Sequence, residues 1–572
     1  MNIIRRHLST TTLSTDTLHP LLANIYAARG IKSHAELETG LAHLLPYTAL
    51  KNIHPCVAHL YDALVKQQHF MIIGDFDADG ATSTALAVTA LKSFGAKKVS
   101  YLVPNRFKHG YGLTPEIVDV ASAQNPDVII TVDNGISSVE GTAHAKQLGI
   151  TVIITDHHLP PKILPNADVI VNPNQLDDIF PSKNMAGVGV IFYIMLAFRS
   201  HLRAVHWFES NHLPEPNMAD LLDLVALGTV ADVVPLDHNN RILVQQGLKR
   251  IRVHQCRPGI QALLQIANRP NHRVVSNDLG FAIAPRLNAA GRLEDMSLGI
   301  ACLLSEHLTE ALPMVQHLDN LNQERRHIEN EMQQQAVAAL SRLQLSQDLP
   351  MGICLYDPSW HQGVIGIVAS RIKEQVHRPV IAFAASNEQE IKGSARSIPG
   401  LHIKDVLNAI ATQHPELIQK FGGHAMAAGL SLRLENYPAF SAAFEQEVAR
   451  HLSPDDLTQK TLSDGELSDM EITLEIAQLL RDAGPWGQHF SAPLFDNHFY
   501  LTHQHIIGGK HLKMSLSLTP DGPTIDAIAF FVDVEKWPNH RAEKIHAAYR
   551  LDVNEYQGKK KVQLLVEDWV IV

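Results

Sequence analysis

The chain reads as an α/β protein: a parallel-sheet domain, a long helix leading to a second α/β domain, and a C-terminal β-barrel of the OB type. Three patterns predict this. From residue 69 short β-branched runs alternate with helical stretches, the same alternation restarts near Gly352, and the C-terminal region is a succession of short strands. Fully apolar strands separated by helices imply a parallel sheet covered on both faces.

The N-terminus, "MNIIRRHLSTTTLSTDTLHP", has two arginines but no apolar core of signal-peptide length. Its Ser/Thr richness faintly suggests a transit peptide; a capped helix start is the better reading, and residues 1–55 are assigned to an N-terminal helical segment. "HFMIIG" is then a buried strand, followed by a helix, "ATSTALAVTALKSFG", that ends at Gly95. "KKVSYLVP", "DVIITVDNG", "GITVIITDHH" and "ADVIVNP" repeat the strand pattern, each run ending in polar residues. The longest apolar run, Ala186 to Phe198, falls short of the roughly 20 residues that cross a bilayer, so it reads as a buried helix. Residues 56–235 form the first domain in this reading.

Helical segments fill 236–350, ending in a polar stretch from about Thr309 to Leu345 that reads as a connecting helix. Within 351–452, "GICLY" and "PVIAFAA" read as strands around the helix "GVIGIVASRIKEQV". In 453–572 the helix "LEIAQLLRDAG" precedes "HFYLTHQHII", "KHLKMSLSLT", "TIDAIAFFV", "KIHAAYRLDV" and "KKVQLLVEDWVIV", short strands with turn signals that suggest the small barrel.

At 572 residues the chain exceeds what one hydrophobic core serves. Four scattered cysteines, Cys56, Cys256, Cys302 and Cys354, argue against a disulfide framework or a zinc site and fit a reducing cytosol. A net charge of −11 excludes an indiscriminate nucleic-acid binder. A polyanionic substrate therefore needs local basic patches or metal ions.

The stretch "MIIGDFDADG" sets Asp75, Asp77 and Asp79 just past the first strand. Carboxylates held together repel unless something positive lies between them. An EF-hand loop starting at Asp75 requires glutamate at its twelfth position, which here is Leu86, so that reading fails. Capping a helix N-terminus suits one aspartate, and three exceed the need. Ligands of α/β sheets gather beyond the carboxyl ends of the strands. Asp133 in "TVDNGIS" and Asp156, His157 and His158 in "TDHHLP" fall at the same edge, and Asp232 in "GTVADVVPL" lies in the helical region beyond. Oxygen donors with an imidazole suit Mg²⁺ or Mn²⁺ better than zinc. Two such ions form a clamp for displacement at phosphorus.

These segments resemble the successive motifs of the DHH phosphoesterase superfamily. "PRLNAAGRL", "WHQGVIGIVASRIKE", "GSARS", "FGGHAMAAG" and "LLRDAGPWGQ" further resemble the RecJ-type single-strand-specific 5′→3′ exonucleases, nearly throughout the chain and in order. The resemblance implies a DHH domain, a DHHA1-type substrate-binding domain and an OB-like nucleic-acid-binding barrel. It implies that Asp77, Asp79, Asp133, His157 and Asp232 bind two divalent cations, Mg²⁺ or Mn²⁺, with Asp133 as the bridge. Asp75 and Asp156 are then ligands or supports, and His158 contacts the scissile phosphate or acts as an acid. Some relatives place a histidine where this chain has Ile73, which leaves the first shell open around Asp75.

The substrate implied is single-stranded DNA with a free 5′ end, threaded between the two α/β domains and along the barrel. Arg106 then binds the terminal phosphate, Tyr111 stacks on a base, and Ser394 and Arg396 contact phosphate from the second domain. Arg286, Arg292 and His424 are further substrate contacts, while His361 and His424 equally suit a structural role. The basic segments Gly508 to Met514 and Gly558 to Lys561 suit phosphates or a solvated strand edge. Single-strand-binding protein and the helicases of recombination and repair are the implied partners, in the cytoplasm and away from membranes. Two rivals stand beside this reading: a DHH phosphodiesterase of short oligonucleotides or cyclic dinucleotides, and a catalytically inactive replication scaffold. The retained aspartates speak against the second.

Overall fold

The central strands of the chain's main sheet, Phe70–Ile73 and Val128–Val132, are so rich in apolar and β-branched residues that each is buried on both faces. In the computed structural model, residues 2–6, 13–15, 18–105, 111–344, 349–556 and 558–572 are described. The chain divides into two compact units, Arg5–Leu321 with Leu462–Val572, and Met1–Ile4 with Asn322–Thr461.

Strand β1 (Asn2–Arg5) opens the chain and joins a two-stranded sheet with Lys460–Ser463. This departs from the helical start expected: Asn-Ile-Ile-Arg finds a β partner far along the chain. The first α-helix is Pro20–Ala28, with Pro20 at its first turn and His19 Nδ1 accepting the Leu21 N–H at 3.2 Å.

The sheet of the larger unit comprises β2 (Phe70–Ile73), β3 (Val99–Leu102), β4 (Val128–Val132), β5 (Thr151–Thr155) and β6 (Val169–Val171), in the order β3-β2-β4-β5-β6. All its pairings are parallel, with Phe70 registered against Val99 and Val128. Side chains alternate between faces. Phe70 and Ile72 enter one core with Leu86, Val190 and Leu224, whereas Met71 and Ile73 enter another with Ile117, Val118 and Ile129. Because β3 and β4 lie on opposite sides of β2, the strand order reverses between β2 and β4. Such a switch point opens a crevice at the carboxyl ends of the strands. Helices Ala78–Ser93, Gly187–Ala204 and Leu222–Ala231 pack behind it. The helix Gly187–Ala204 is the apolar run of the sequence, and it is buried as expected. Among the described residues no helix is long and apolar enough to cross a membrane.

The expected connecting helix is present as Leu308–Gln344, and the chain passes from one unit to the other along it. In the smaller unit, β7 (Ile353–Tyr356), β8 (Val380–Ala385), β9 (Glu390–Arg396), β10 (Lys420–Gly423) and β11 (Ala427–Arg433) form a sheet in the order β10-β11-β9-β8-β7. Only β7 and β8, joined through the helix Ile365–Val376, pair in parallel. The other pairings are antiparallel: short turns join β8 to β9 and β10 to β11, and β11 inserts between β9 and β10, which the helix Ile403–Gln413 connects. Its core holds Phe383, Ile391, Leu430, Phe440 and Phe444.

After β12 (Lys460–Ser463) and the helix Leu474–Asp482, the strands β13 (Phe495–Ile507), β14 (His511–Ser517), β15 (Ile525–Ala529), β16 (Lys544–Tyr556) and β17 (Lys559–Ile571) close into a barrel. The parallel β15–β17 pair closes it, with Ala527 against Leu564. Leu512, Met514 and Leu516 alternate inward to meet Ala527, Ala529 and Val566. Arg5 reaches Asp496 at the start of β13, with Nη2 2.8 Å from Oδ2.

Candidate metal centre

The strand ends at the switch point carry the chain's most crowded carboxylates. The loop after β2 leads into the helix Ala78–Ser93, whose N-cap is Asp77, with Oδ1 accepting the Gly80 N–H at 3.0 Å. Asp79 is buried, and its oxygens accept the N–H groups of Gly187 and Val188 at 2.7 and 3.0 Å. It therefore faces the positive end of the helix Gly187–Ala204.

Asp133 follows β4 in the left-handed region, φ 62°, and is buried. A left-handed backbone is costly for a residue other than glycine, and Asp and Asn tolerate it best. Asn134 ties this turn across the sheet by donating to the carbonyls of Ile73 and Val132 at 3.1 and 2.9 Å. Asp133 Oδ1 lies 3.1 Å from His157 Nε2, and Asp232 Oδ2 lies 3.4 Å from the same nitrogen.

Among the described residues, ligand atoms within 4.8 Å of one another define three overlapping triads: Asp75, Asp77 and Asp133; Asp79, His157 and Asp232; and Asp133, His157 and His158. Asp133 and His157 each serve two of them. The backbone makes room at glycines. A Cβ at Gly187 would stand 2.6 Å from Asp133 Cβ, and one at Gly228 would stand 2.8 Å from Asp79 Oδ1.

Asp156 differs from the other carboxylates. Its Oδ2 accepts the Ile136 N–H at 2.9 Å, and its Oδ1 accepts the backbone N–H groups of His157 and His158 at 2.7 and 3.0 Å. His158 Nδ1 also lies 2.7 Å from Oδ1. Burial opposes its ionisation, but His158 and these donors hold its carboxyl at about 2. Burial likewise opposes charge on His158, and Asp156 overrides it, raising the imidazole to about 9. The loop is fixed further by Asn172 and Asn174, whose amides donate to the carbonyls of His158 and His157 at 2.9 and 2.6 Å.

Elsewhere in the cluster the balance reverses. Burial, then Asp232, pushes Asp79 up to about 7; burial, then Asp77, pushes Asp232 up to about 8; burial and Asp79 raise Asp133 well above the carboxylate range. Burial lowers His157, which keeps its imidazole neutral. Asp133 Oδ1 and His157 Nε2 are buried and stand 3.1 Å apart, yet among the described residues neither makes a well-aligned hydrogen bond. Buried polar atoms are normally bonded. Orphaned donor atoms among mutually repelling carboxylates fit hard divalent cations with oxygen and imidazole ligands.

The remaining sequence candidates fall in several places. Tyr111 borders the cluster, its hydroxyl donating to the Asp133 carbonyl at 3.3 Å and its ring edge-on to Phe76. Arg106 lies outside the described residues. Arg286 and Arg292 are on the helix Ala284–Leu293, and Arg286 Nε pairs with Asp319 Oδ1 at 2.8 Å. In the smaller unit Arg396 Nη1 donates to Ser394 Oγ at 3.0 Å on β9, and the His424 N–H closes the β10–β11 turn on the Ala427 carbonyl at 2.8 Å.

Sequence reasoning missed the asparagines. Besides Asn134, Asn172 and Asn174, Asn288 Oδ1 accepts the Ala78 N–H at 2.7 Å. Three residues on, a Cβ at Gly291 would meet the Phe76 carbonyl at 1.7 Å. "PRLNAAGRL" thus buttresses the aspartate loop, a role that nothing in its local pattern reveals.

Three family models match in order: the DHH family N-terminal domain over 69–229, the DHHA1 domain over 349–450 and the RecJ OB domain over 463–568. The single-stranded-DNA-specific exonuclease RecJ of Escherichia coli is 52% identical over 569 residues, covering 99% of each chain. The crystal structure of RecJ with Mn²⁺ from Thermus thermophilus superposes with a TM-score of 0.79 at 28% identity, covering 100% of this chain and 78% of the other. The Mg²⁺ form of that protein gives 0.73 at 27% identity, with 100% and 77% covered.

Proposed function

The chain belongs to the RecJ family of single-stranded-DNA-specific exonucleases, and from that membership we infer the reaction its site performs. It hydrolyses single-stranded DNA from the 5′ end, releases nucleoside 5′-monophosphates, and serves DNA recombination and repair. The observation that carries this reading is the pair Asp133 Oδ1 and His157 Nε2, buried 3.1 Å apart without a well-aligned hydrogen bond among the described residues and shared by the overlapping ligand triads.

Asp75, Asp77, Asp79, Asp133, His157 and Asp232 would hold two divalent cations, Mg²⁺ or Mn²⁺, which would supply an activated water and neutralise charge on the phosphate. Asp133, common to two triads, is the carboxylate the two ions would share. The new bond joins water oxygen to phosphorus, and the bond to the 3′-oxygen breaks. Asp156 holds the His157–His158 backbone and keeps His158 cationic beside the scissile phosphate. His158 then contributes positive charge or a proton to the departing oxygen.

Tyr111 stacks on a base, which favours single strands without regard to sequence. Arg106 takes the 5′-phosphate, and Ser394 and Arg396 are phosphate contacts of the second domain, with Arg292 and His424 as further contacts. Arg286, paired with Asp319, contributes through its position. The working domain division is 1–55, 56–235, 236–350, 351–452 and 453–572. Single-strand-binding protein and repair helicases are the partners proposed, in the cytoplasm.

Digestion of single-stranded DNA labelled at either end, with duplex as control, tests the reading. Label at the 5′ end should appear first as mononucleotide, only with divalent metal, and not with Asp133→Ala. Preference for dinucleotides over long strands would sink it.

A further inference from the structure

Two segments separated in sequence each position part of the Asp79, His157 and Asp232 triad. The loop 182–186 leads into the helix Gly187–Ala204, whose first N–H groups hold Asp79. The turn 232–237 begins at Asp232, the C-cap of the helix Leu222–Ala231, and ends at Asp237, the N-cap of the helix His238–Arg252. Asp79 and Asp232 carry like charges, so bringing them together costs free energy that other contacts must offset. Val233 adds backbone strain, for it is β-branched and has φ 59°. Strain of this kind persists only where the surroundings over-determine the chain.

The first turn of the helix His238–Arg252 supplies those surroundings. Asn240 is fully buried. Its Nδ2 donates to the Asn184 carbonyl at 2.7 Å and to the Pro235 carbonyl at 2.9 Å, so one amide spans both segments. Two facing carbonyls admit only the N–H side of that amide. Asp237 doubles the link. Its Oδ2 accepts from Ser182 Oγ at 2.6 Å and Asn184 Nδ2 at 3.3 Å, while its Oδ1 accepts the Asn240 backbone N–H at 3.0 Å. Arg241 steadies the end of the turn by donating to the Leu236 carbonyl at 3.0 Å.

We propose that Asn240 is a positioning residue that sets the spacing of Asp79 and Asp232, and with it the affinity of one divalent cation of the two. Through Asn184 it fixes the approach to the helix that holds Asp79, and through Pro235 it fixes the turn that follows Asp232. The other carboxylates stand apart from this link. Asp75 and Asp77 follow β2 and Asp133 follows β4, and among the described residues Asn240 bonds neither loop. Its loss therefore weakens the ion of the Asp79, His157 and Asp232 triad and spares the other. This rests on the reading of the site as a two-metal nuclease centre.

Calorimetric titration of the full chain with Mn²⁺, without DNA, tests it. Wild type should bind two ions per chain. In Asn240→Ala one ion should bind as in wild type and the other about 10- to 100-fold more weakly, as when groups that orient ligands are lost. The Mn²⁺ concentration for half-maximal cleavage should rise with the weakened ion. Asn240→Thr is close in size and has one donor, so it can serve only one of the two carbonyls. It should weaken the same ion, and it carries the test if thermal melts show the alanine variant unfolded. Equal weakening of both ions, or two unchanged ions, overturns the role of Asn240 and leaves the nuclease reading intact. A wild type that binds fewer than two ions overturns the two-metal reading and this role with it.

Discussion

The backbone N–H of Ala78 donates to Oδ1 of Asn288 at 2.7 Å, across 210 residues of chain. That bond fixes the first turn of the helix that presents Asp79, beside the cap made by Asp77. Asn288→Ala should raise the Mn²⁺ concentration for half-maximal nuclease activity about 10- to 100-fold, as losses of groups that orient ligands do. Asn288→Asp keeps the acceptor and should recover much of it. A metal titration unchanged in the alanine variant would show that the loop holds itself.

Asp133 couples a strained backbone to an electrostatic cost. Asp133→Asn keeps a residue that tolerates the left-handed turn and removes one of several buried, repelling carboxylates. Cleavage should fall by at least about 10³-fold, since a bridging ligand supports several kcal/mol of transition-state stabilisation. In EDTA the same variant should melt about 2–4 °C above wild type, an increment of roughly 1 kcal/mol. Persistent cleavage would refute the assignment of Asp133 as bridge.

Gly187 allows the helix it begins to approach Asp133. Gly187→Ala places a methyl 2.6 Å from Asp133 Cβ and 2.7 Å from its Oδ1, so the carboxylate must shift. The variant should lose about 1–3 kcal/mol of stability, as overpacked cores do. Its activity should fall further than its melting temperature explains, because the displaced atom belongs to the ligand. Near-normal turnover would mean the turn yields without cost.

Asp496 offers a pH test remote from the metal centre. Burial raises its carboxyl, but hydrogen bonds from Arg5, Ser463 and His546 outweigh that and hold it below the usual value. A group lowered on folding stabilises above its unfolded value, near about 3.9, and loses that stabilisation as pH falls through the folded value. Asp496→Asn should therefore cost about 2 kcal/mol at neutral pH. The gap between variant and wild-type melting temperatures should close as pH drops below about 4. A gap independent of pH would show that shape, rather than charge, matters at this position.

The legible part of the molecule is the part with strong local chemistry. Strands such as Val128–Val132 announce themselves by unbroken β-branching, and Asp75, Asp77 and Asp79 by a repulsion that demands an explanation. Asn172, Asn174 and Asn288 carry no such signal, because an amide that holds a carbonyl or an N–H looks like any loop asparagine until its partner is in place. Gly291 is silent for the same reason: only the Phe76 carbonyl explains it. The sheet of the smaller unit is legible as α/β from β7, its helix and β8. Its antiparallel half depends on two short turns and on β11 inserting between β9 and β10, which periodicity does not register. At the N-terminus, Asn2–Arg5 is too short to predict as a strand without its partner. Arg286 shows the converse: its charge draws a phosphate to mind, and only the folded chain reveals that Asp319 already meets it.

The division of the chain has a consequence for its synthesis. The larger unit breaks off after Leu321 and resumes at Leu462, with roughly 140 residues of the other unit between. At about 5–20 residues per second that interval lasts roughly 7–28 s on the ribosome. The late segment is no appendage, for Leu236 donates to the Gln488 carbonyl at 2.8 Å and Ser276 to that of Trp486 at 2.6 Å. Barrel side chains such as Phe495 and Leu564 also share one core with the helices behind the aspartates. The nascent nuclease thus waits, with apolar surface uncovered, for its last hundred or so residues. A premature stop anywhere in the barrel leaves every motif aspartate translated and the core beneath them unfinished.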